Sequence, residues 1–223
     1  GNYTVNMTGR RFANESQNYL TFMLEVLEKQ KLGESCSPMY MIFDSEHRKK
    51  YPVGPLMPGK FFPDFLIKMV HRTWFNGDFL TSANSIDELA EKTGIDKKGL
   101  KDTISRVNEF SKTGKDLDFQ RGENERDWFA GDPAFINPCL GPVKQAPFYA
   151  MRIDPGEFAT CGGMTINEKG QVLDNKNKII EGLYATGNAT AALLTTYPGA
   201  GATIGPAMTF GYIAGRHIAG SND

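Results

Sequence analysis

The sequence predicts an α+β fold in two parts, and three observations predict it. Residues 85–110 carry helix punctuation and an apolar stripe at helical spacing. Residues 161–187 change to short strands divided by turn residues. Between them runs an irregular crossing marked by Pro133, Pro138, Pro142 and Pro147, which puts a domain boundary near residues 146–160.

Taken in order, residues 2–14 (NYTVNMTGRRFAN) read as a strand, a turn at Gly9 and a second strand. Residues 22–31 (FMLEVLEKQK) read as one helix. Pro52, Pro55 and Pro58 forbid regular structure through VGPLMPG. Residues 62–75 read as a helix with Phe65, Met69 and Arg72 on one side. Ser85 followed by Glu88 is a capping box for a helix from Ile86 that stops near Gly94. Asp96 caps the next helix, whose stripe is Leu100, Ile104, Val107 and Phe110. This helical hairpin serves packing. The charged run 112–132 reads as a solvated face or loop pinned by Trp128 and Phe129. Residues 164–166 and 171–173 suit a hairpin around Lys169–Gly170. GLYATG (182–187) reads as a compact buried strand, and residues 203–219 as a helix with Pro206 in its first turn.

The chain has 223 residues, 40% apolar and 23% charged, with a formal net charge of -1. These values fit a packed globule and give no basic stripe for nucleic acid. No run of 18 apolar residues suggests a membrane span. Three scattered cysteines and three scattered histidines favour neither a disulfide framework nor a zinc site, and a reducing, cytoplasmic setting is expected. The chain begins without methionine and reads as a piece of a longer protein.

The stretch TTYPGAGATIGPAMTFG (195–211) concentrates four glycines, two prolines and Tyr197 before a helix. Gly199, Gly201 and Gly205 strip side chains from the backbone where helix amides lie unpaired at a positive dipole end. Such a place suits an electron-rich group. It equally suits a tight turn with glycines for close helix packing. Tyr197 beside it can pair a phenol with a backbone N–H on one carbonyl oxygen, as an oxyanion hole does. GAGATIG spaces its glycines at relative positions 1, 3 and 7, so it is not a dinucleotide fingerprint. A Walker lysine and a G-x-S-x-G element are missing as well.

Residues 182–217, GLYATGNATAALLTTYPGAGATIGPAMTFGYIAGRH, resemble the carboxy-terminal end of the 3-ketosteroid Δ1-dehydrogenases, FAD enzymes of the fumarate reductase and succinate dehydrogenase flavoprotein superfamily. GRRFANES (9–16), GDPAFINPCLGPVKQAPFYA (131–150) and CGGMTINEKGQVLD (161–174) resemble family segments too. The resemblance implies a substrate domain over residues 1–155 and, over residues 156–223, the returning end of a Rossmann-like FAD-binding domain. It implies that the GxGxxG region lies elsewhere in a longer protein and that this piece alone is inactive.

By the same resemblance, the Tyr197 hydroxyl and the Gly201 N–H bind the steroid C3 carbonyl, and Tyr19 is the general base at C2. Gly163, Gly187, Asn188, Ala202, Thr203 and Ile204 contact the flavin, which takes hydride from C1. The partners implied are a ketosteroid or similar flat enone and an external electron acceptor. Two other readings stand beside this one. A fumarate reductase-like activity on another enone or acid would use Arg10 and Arg11, and an isolated domain would have no catalysis of its own.

Overall fold

The computed structural model describes residues 1–70, 73–74, 79–129, 131–156, 159, 162–194, 199 and 201–220. The chain divides into two compact units, Gly1–Pro155 and Gly156–Asp223. Helices and sheets are mixed in both.

The first unit is built on a four-stranded antiparallel sheet. Its strands are β1 (Asn2–Val5), β2 (Met39–Asp44), β3 (Leu80–Ala83) and β4 (Phe148–Ile153), in the order β1-β2-β4-β3. Side chains on a strand alternate between faces, and here both faces are covered. Tyr3, Val5, Tyr40, Ile42 and Ala150 meet α4 (Ile86–Thr93) and α5 (Lys97–Thr113). Phe43, Tyr149, Met151 and Leu80 meet Val53, Leu56 and Ile67 on the opposite side.

The α4–α5 hairpin forms as its residues dictate. Ser85 Oγ accepts from Glu88 N at 3.1 Å, and Gly94 ends α4 in the left-handed conformation. Asp96 Oδ1 accepts from Gly99 N at 2.7 Å, and Leu100, Ile104, Val107 and Phe110 are all buried. Each such side chain stabilises the fold by about 1.5–3 kcal/mol. A Cβ at Gly99 would lie 1.9 Å from the Thr8 carbonyl oxygen, so the Gly9 turn seats directly on the start of α5.

Three expectations for this unit change. The Gly9 turn forms, with Asn6 N donating to Arg10 O at 3.0 Å, but no second strand follows it. Residues 10–18 instead run as a loop to α1 (Tyr19–Lys31), which begins earlier than expected because Asn18 caps it. In α3 (Asp64–Val70) the buried residue is Ile67, while Phe65 and Met69 face solvent; Arg72 lies outside the described residues. Phe129 does not pin the charged run, being 85% exposed; Trp128, 54% exposed, ties it through Nε1 donating to Gly122 O at 2.6 Å. Buried charge pins it as well. Asp116, Arg121 and Asp127, the last in the short α6 (Glu125–Trp128), are all buried.

Those charges close on the loop that follows β1. Arg11 holds Glu15 with two hydrogen bonds (2.8 and 2.7 Å) and Asp116 with two more (3.0 and 2.8 Å). Arg121 reaches Glu15 at 3.2 Å from the other side. Burial by itself would raise the carboxyls of Glu15 and Asp116; the guanidiniums outweigh it and hold both below the ordinary carboxylate range.

In the second unit, β5 (Gln171–Leu173) pairs antiparallel with β6 (Ile179–Tyr184). The expected hairpin is present: Ile166 bridges Val172, and Gly170 N donates to Asn167 O at 3.0 Å. The expected buried strand is corrected. Gly182 and Leu183 are exposed and only Ala185 of the stretch is buried, since β6 is paired only with β5 among the described residues and no second layer covers its faces. Helix α7 (Ile204–Ile218) forms where the sequence places it. It is tied back by Thr186 Oγ1 donating to Ala207 O at 2.8 Å and by a 2.7 Å hydrogen bond between the Tyr184 hydroxyl and His217 Nδ1. Among the described residues no helix is long and apolar enough to cross a membrane, and no group of His, Cys, Asp or Glu is arranged to hold a metal.

Removing one member of the buried cluster leaves its partners charged and uncompensated. Arg11→Met is therefore expected to cost about 3–5 kcal/mol in urea denaturation followed by circular dichroism; a loss below about 1 kcal/mol would show that the cluster does not hold the loop. Because the folded values of Glu15 and Asp116 are depressed, their contribution is full above the ordinary carboxylate range. It falls away as pH drops through the depressed values. Acid titration of the Glu15→Gln protein should thus show a smaller loss of stability below about pH 4 than the parent shows.

Candidate functional site

The predicted site residues fall in both units. In the second unit, the chain after β6 makes a 3₁₀ turn, Gly187–Ala189, that meets two other segments. Met164 N donates to Ala189 O at 3.0 Å, and Ala191 N donates to Met164 O at 2.9 Å. A Cβ at Gly163 would come within 2.3 Å of the Ala189 oxygen, so Gly163 must stay bare for this crossing. Gly187 adopts φ +62°, and a Cβ there would stand 3.2 Å from the Ala207 Cβ on α7. Gly163, Gly187 and Asn188 are thereby gathered beside the first turns of α7, where Ala202, Thr203 and Ile204 also lie.

The start of α7 is electrostatically open. Thr203 occupies the capping position without a side-chain cap, and the first turn contains no acidic residue. Gly199 and Gly201 precede it with φ of 147° and 93°, and among the described residues nothing lies within 4 Å of where a Cβ would be on either. Two glycines thus stand just before the positive end of a 15-residue helix. Of the two readings of Gly199, Gly201 and Gly205, close packing finds no support among the described residues, none of which lies within 4 Å of their Cβ positions; close approach is instead seen at Gly163 and Gly187. Tyr197 lies outside the described residues.

In the first unit, Tyr19 is the first residue of α1. It is 56% exposed and stands on the wall of a cleft of about 540 Å³ that Tyr51, Arg121, Phe129 and Asp132 also line. His47 lines the same cleft. Burial pushes its imidazole down to about 3, which leaves it neutral near pH 7 and so not an imidazolium acid. Arg10 is exposed, whereas Arg11 is buried and fully engaged by Glu15 and Asp116.

Residue-by-residue reading of the sequence missed Arg121 and Asp127 as determinants of this region. Asp127 accepts from Asn14 Nδ2 at 3.0 Å, and Arg121 Nε donates to Ser16 Oγ at 2.8 Å, both on the loop before Tyr19. Only GRRFANES held a local hint, since Arg11 and Glu15 stand four residues apart.

Comparison with known proteins adds the following. A family profile described as the FAD binding domain matches residues 1–204. The 3-oxosteroid 1-dehydrogenase of Mycolicibacterium smegmatis is 40% identical over 226 residues, covering 98% of this chain and 38% of that protein. The 4-oxocyclohexanecarboxylate 2-dehydrogenase of Sinomonas cyclohexanicum is 40% identical over 225 residues, covering 99% of this chain and 37% of its own length. Among solved structures, the 3-ketosteroid Δ1-dehydrogenase of Sterolibacterium denitrificans in complex with 1,4-androstadiene-3,17-dione superimposes with a TM-score of 0.88 at 40% identity. It is covered to 39% by all of this chain. An open flavocytochrome c3 fumarate reductase gives a TM-score of 0.61 at 28% identity, over 99% of this chain and 33% of its own. The chain thus spans a little over a third of the length of the relatives it matches. Through the match over residues 1–204, the chain belongs to the FAD binding domain family, and its cofactor is FAD.

Proposed function

We propose that the protein containing this chain dehydrogenates a ring ketone, a 3-ketosteroid or a smaller cyclic ketone, at the carbon–carbon bond next to the carbonyl. In this reading Gly1–Pro155 is the substrate domain, and Gly156–Asp223 is the returning end of a Rossmann-like FAD-binding domain. The observation that carries it is the pair Gly199 and Gly201, with no described residue within 4 Å of their Cβ positions, just before an uncapped helix end. The names of the relatives support it from a second side. A 3-oxo compound desaturated at carbon 1 and a 4-oxo compound desaturated at carbon 2 both react two carbons from a ring ketone.

The residues present fit FAD. The Gly163, Gly187 and Asn188 crossing and the Ala202–Ile204 backbone leave room and amide dipoles for a planar, oxygen-rimmed group. When bound, FAD supplies the hydride acceptor. The chain's own residues handle the rest. The Tyr197 hydroxyl and the Gly201 N–H donate hydrogen bonds to the ketone oxygen and stabilise the negative charge that grows there. That charge acidifies the neighbouring hydrogens, and Tyr19, having first lost its phenolic proton to become the phenolate, takes one as a proton and returns to the phenol. Its exposure on the cleft wall gives that proton a path to water. An external electron acceptor completes the cycle.

A dicarboxylate reductase is the second reading, favoured by the 27% identity to the Shewanella frigidimarina fumarate reductase over 98% of this chain. It asks for a free guanidinium to bind carboxylate. Arg11 is committed to Glu15 and Asp116, so this reading would rest on Arg10, which is exposed, or on Arg126, which lines the Tyr19 cleft.

The test is turnover of the FAD-loaded protein with 4-androstene-3,17-dione, with 4-oxocyclohexanecarboxylate and, in the reducing direction, with fumarate. Activity on a ketone and none on fumarate is expected; the reverse would defeat the proposal. Tyr197→Phe is expected to lower kcat/KM by roughly 100-fold or more at unchanged FAD content, and a change below about threefold would remove its oxyanion role. Gly201→Val should behave differently. Its φ of 93° is one that a β-branched residue resists, so FAD content, read from visible absorbance, should fall together with activity.

A further inference from the structure

Helix α1 has a single buried residue, Val26, in its second half. Phe22 in its first turn packs on Phe12, ring centroids 5.8 Å apart, while Tyr19 itself is 56% exposed. The loop that leads into that turn is held by the charged 112–132 run. Arg121 is buried, and its contacts converge on the stretch from β1 to α1. Besides the 2.8 Å bond from Nε to Ser16 Oγ, it donates to Asn2 O at 2.8 Å, to Glu15 Oε2 at 3.2 Å and to Asn2 Oδ1 at 3.2 Å. Asp127 holds Asn14 and also accepts from Gly122 N at 2.8 Å.

From Ser16 to Tyr19 the chain has little freedom left. Ser16 N donates to Asn14 Oδ1 at 2.9 Å, and Gln17 N donates to Asn14 O at 3.4 Å. Asn18 Oδ1 accepts from Thr21 N at 3.0 Å and closes the helix start, with Tyr19 the next residue. Arg121 and Tyr19 line the same cleft.

We propose that Arg121 is a positioning residue for Tyr19, acting through Ser16 and Glu15 to fix where the phenol stands. The inference rests on the reading of Tyr19 as the proton acceptor. A proton acceptor works only within about 2.6–3.2 Å of its donor atom, and a misplacement of about 1 Å costs on the order of 100-fold. Arg121 suits the task because Glu15 does not depend on it alone. With Arg121 gone, Arg11 still bonds both Glu15 oxygens, so Glu15 keeps a partner while the hold on Ser16 and Asn2 is lost; the cluster then carries one carboxylate more than its cations balance, which is why the uncharged Ser16→Ala change is tested beside it.

The experiment is a double-mutant cycle in the FAD-loaded protein with a ring-ketone substrate. Arg121→Gln is expected to lower kcat by about 10- to 100-fold with KM within about threefold and FAD content unchanged. Arg121→Lys should restore part of the loss. Ser16→Ala, which removes one hydrogen bond and no charge, should lower kcat by about two- to tenfold in the same pattern, a guard against misfolding of the arginine variants. The deciding comparison is on the Tyr19→Phe background, where Arg121→Gln should slow turnover no further. Full additivity of the two substitutions, or unchanged kcat in both Arg121→Gln and Ser16→Ala, would overturn the assignment. Tyr19→Phe with parental turnover would be a separate failure: it would remove the base itself and the positioning role along with it.

Discussion

Much of the first unit depends on one buried neutral cluster, Arg11 and Arg121 against Glu15 and Asp116. It joins segments more than 100 residues apart in sequence, for Arg11 bonds Asp116 and Arg121 bonds Asn2. Its value is not a large net stabilisation. Desolvating four charges is costly, and a well-packed apolar set often does as well. What charges add is selectivity, since a shifted register would strand a guanidinium or carboxylate in the interior at a penalty of several kcal/mol. The Gly9 turn contributes the steric half of the same constraint, because its backbone meets α5 too closely for a side chain at Gly9 or Gly99. Together they fix the path from β1 to α1, and with it the start of the helix that carries Tyr19.

In the second unit the organising constraint is backbone proximity. Gly163 and Gly187 are bare because main chain and helix press against them, whereas no described residue lies within 4 Å of the Cβ positions of Gly199 and Gly201. That contrast separates two uses of glycine that share one letter in the sequence. The first use builds the crossing. The second leaves an approach to the amides at the head of α7. A ligand that accepts hydrogen bonds gains most there, since it meets fixed dipoles that need no reorganisation.

The sequence was most legible where structure is decided within a few residues. Ser85, Gly94 and Asp96 bound α4 and start α5 as their chemistry requires, and the Leu100–Phe110 stripe buries as its spacing requires. The Asn167–Gly170 hairpin was legible for the same reason. Where the outcome depends on distant partners, local reading failed. KTGKDLDFQRGENERDW looks solvated because no nearby residue reveals that Arg11, Asn14 and Glu15 await its charges. Aromatic Phe129 looks like an anchor, yet the buried ions carry that role and leave its ring in solvent. GLYATG looks like a core strand because its apolar run lacks polar alternation. Composition cannot say whether anything covers it. As for the site, motif resemblance nominated Tyr19 and the cofactor stretch, while the residues that hold Tyr19 in place had no motif.

The proposed chemistry makes two separate demands. Stabilising charge on a carbonyl oxygen calls for preorganised donors, and the head of a helix with a glycine approach offers them at fixed positions. Accepting a proton calls for a side chain held to within a fraction of an ångström yet able to pass the proton on. Tyr19 meets both requirements through a loop clamped by buried charge and an exposed face on the cleft. The charge that clamps the loop also limits what the protein can bind. With its guanidinium spent on Glu15 and Asp116, Arg11 has none left for a ligand carboxylate.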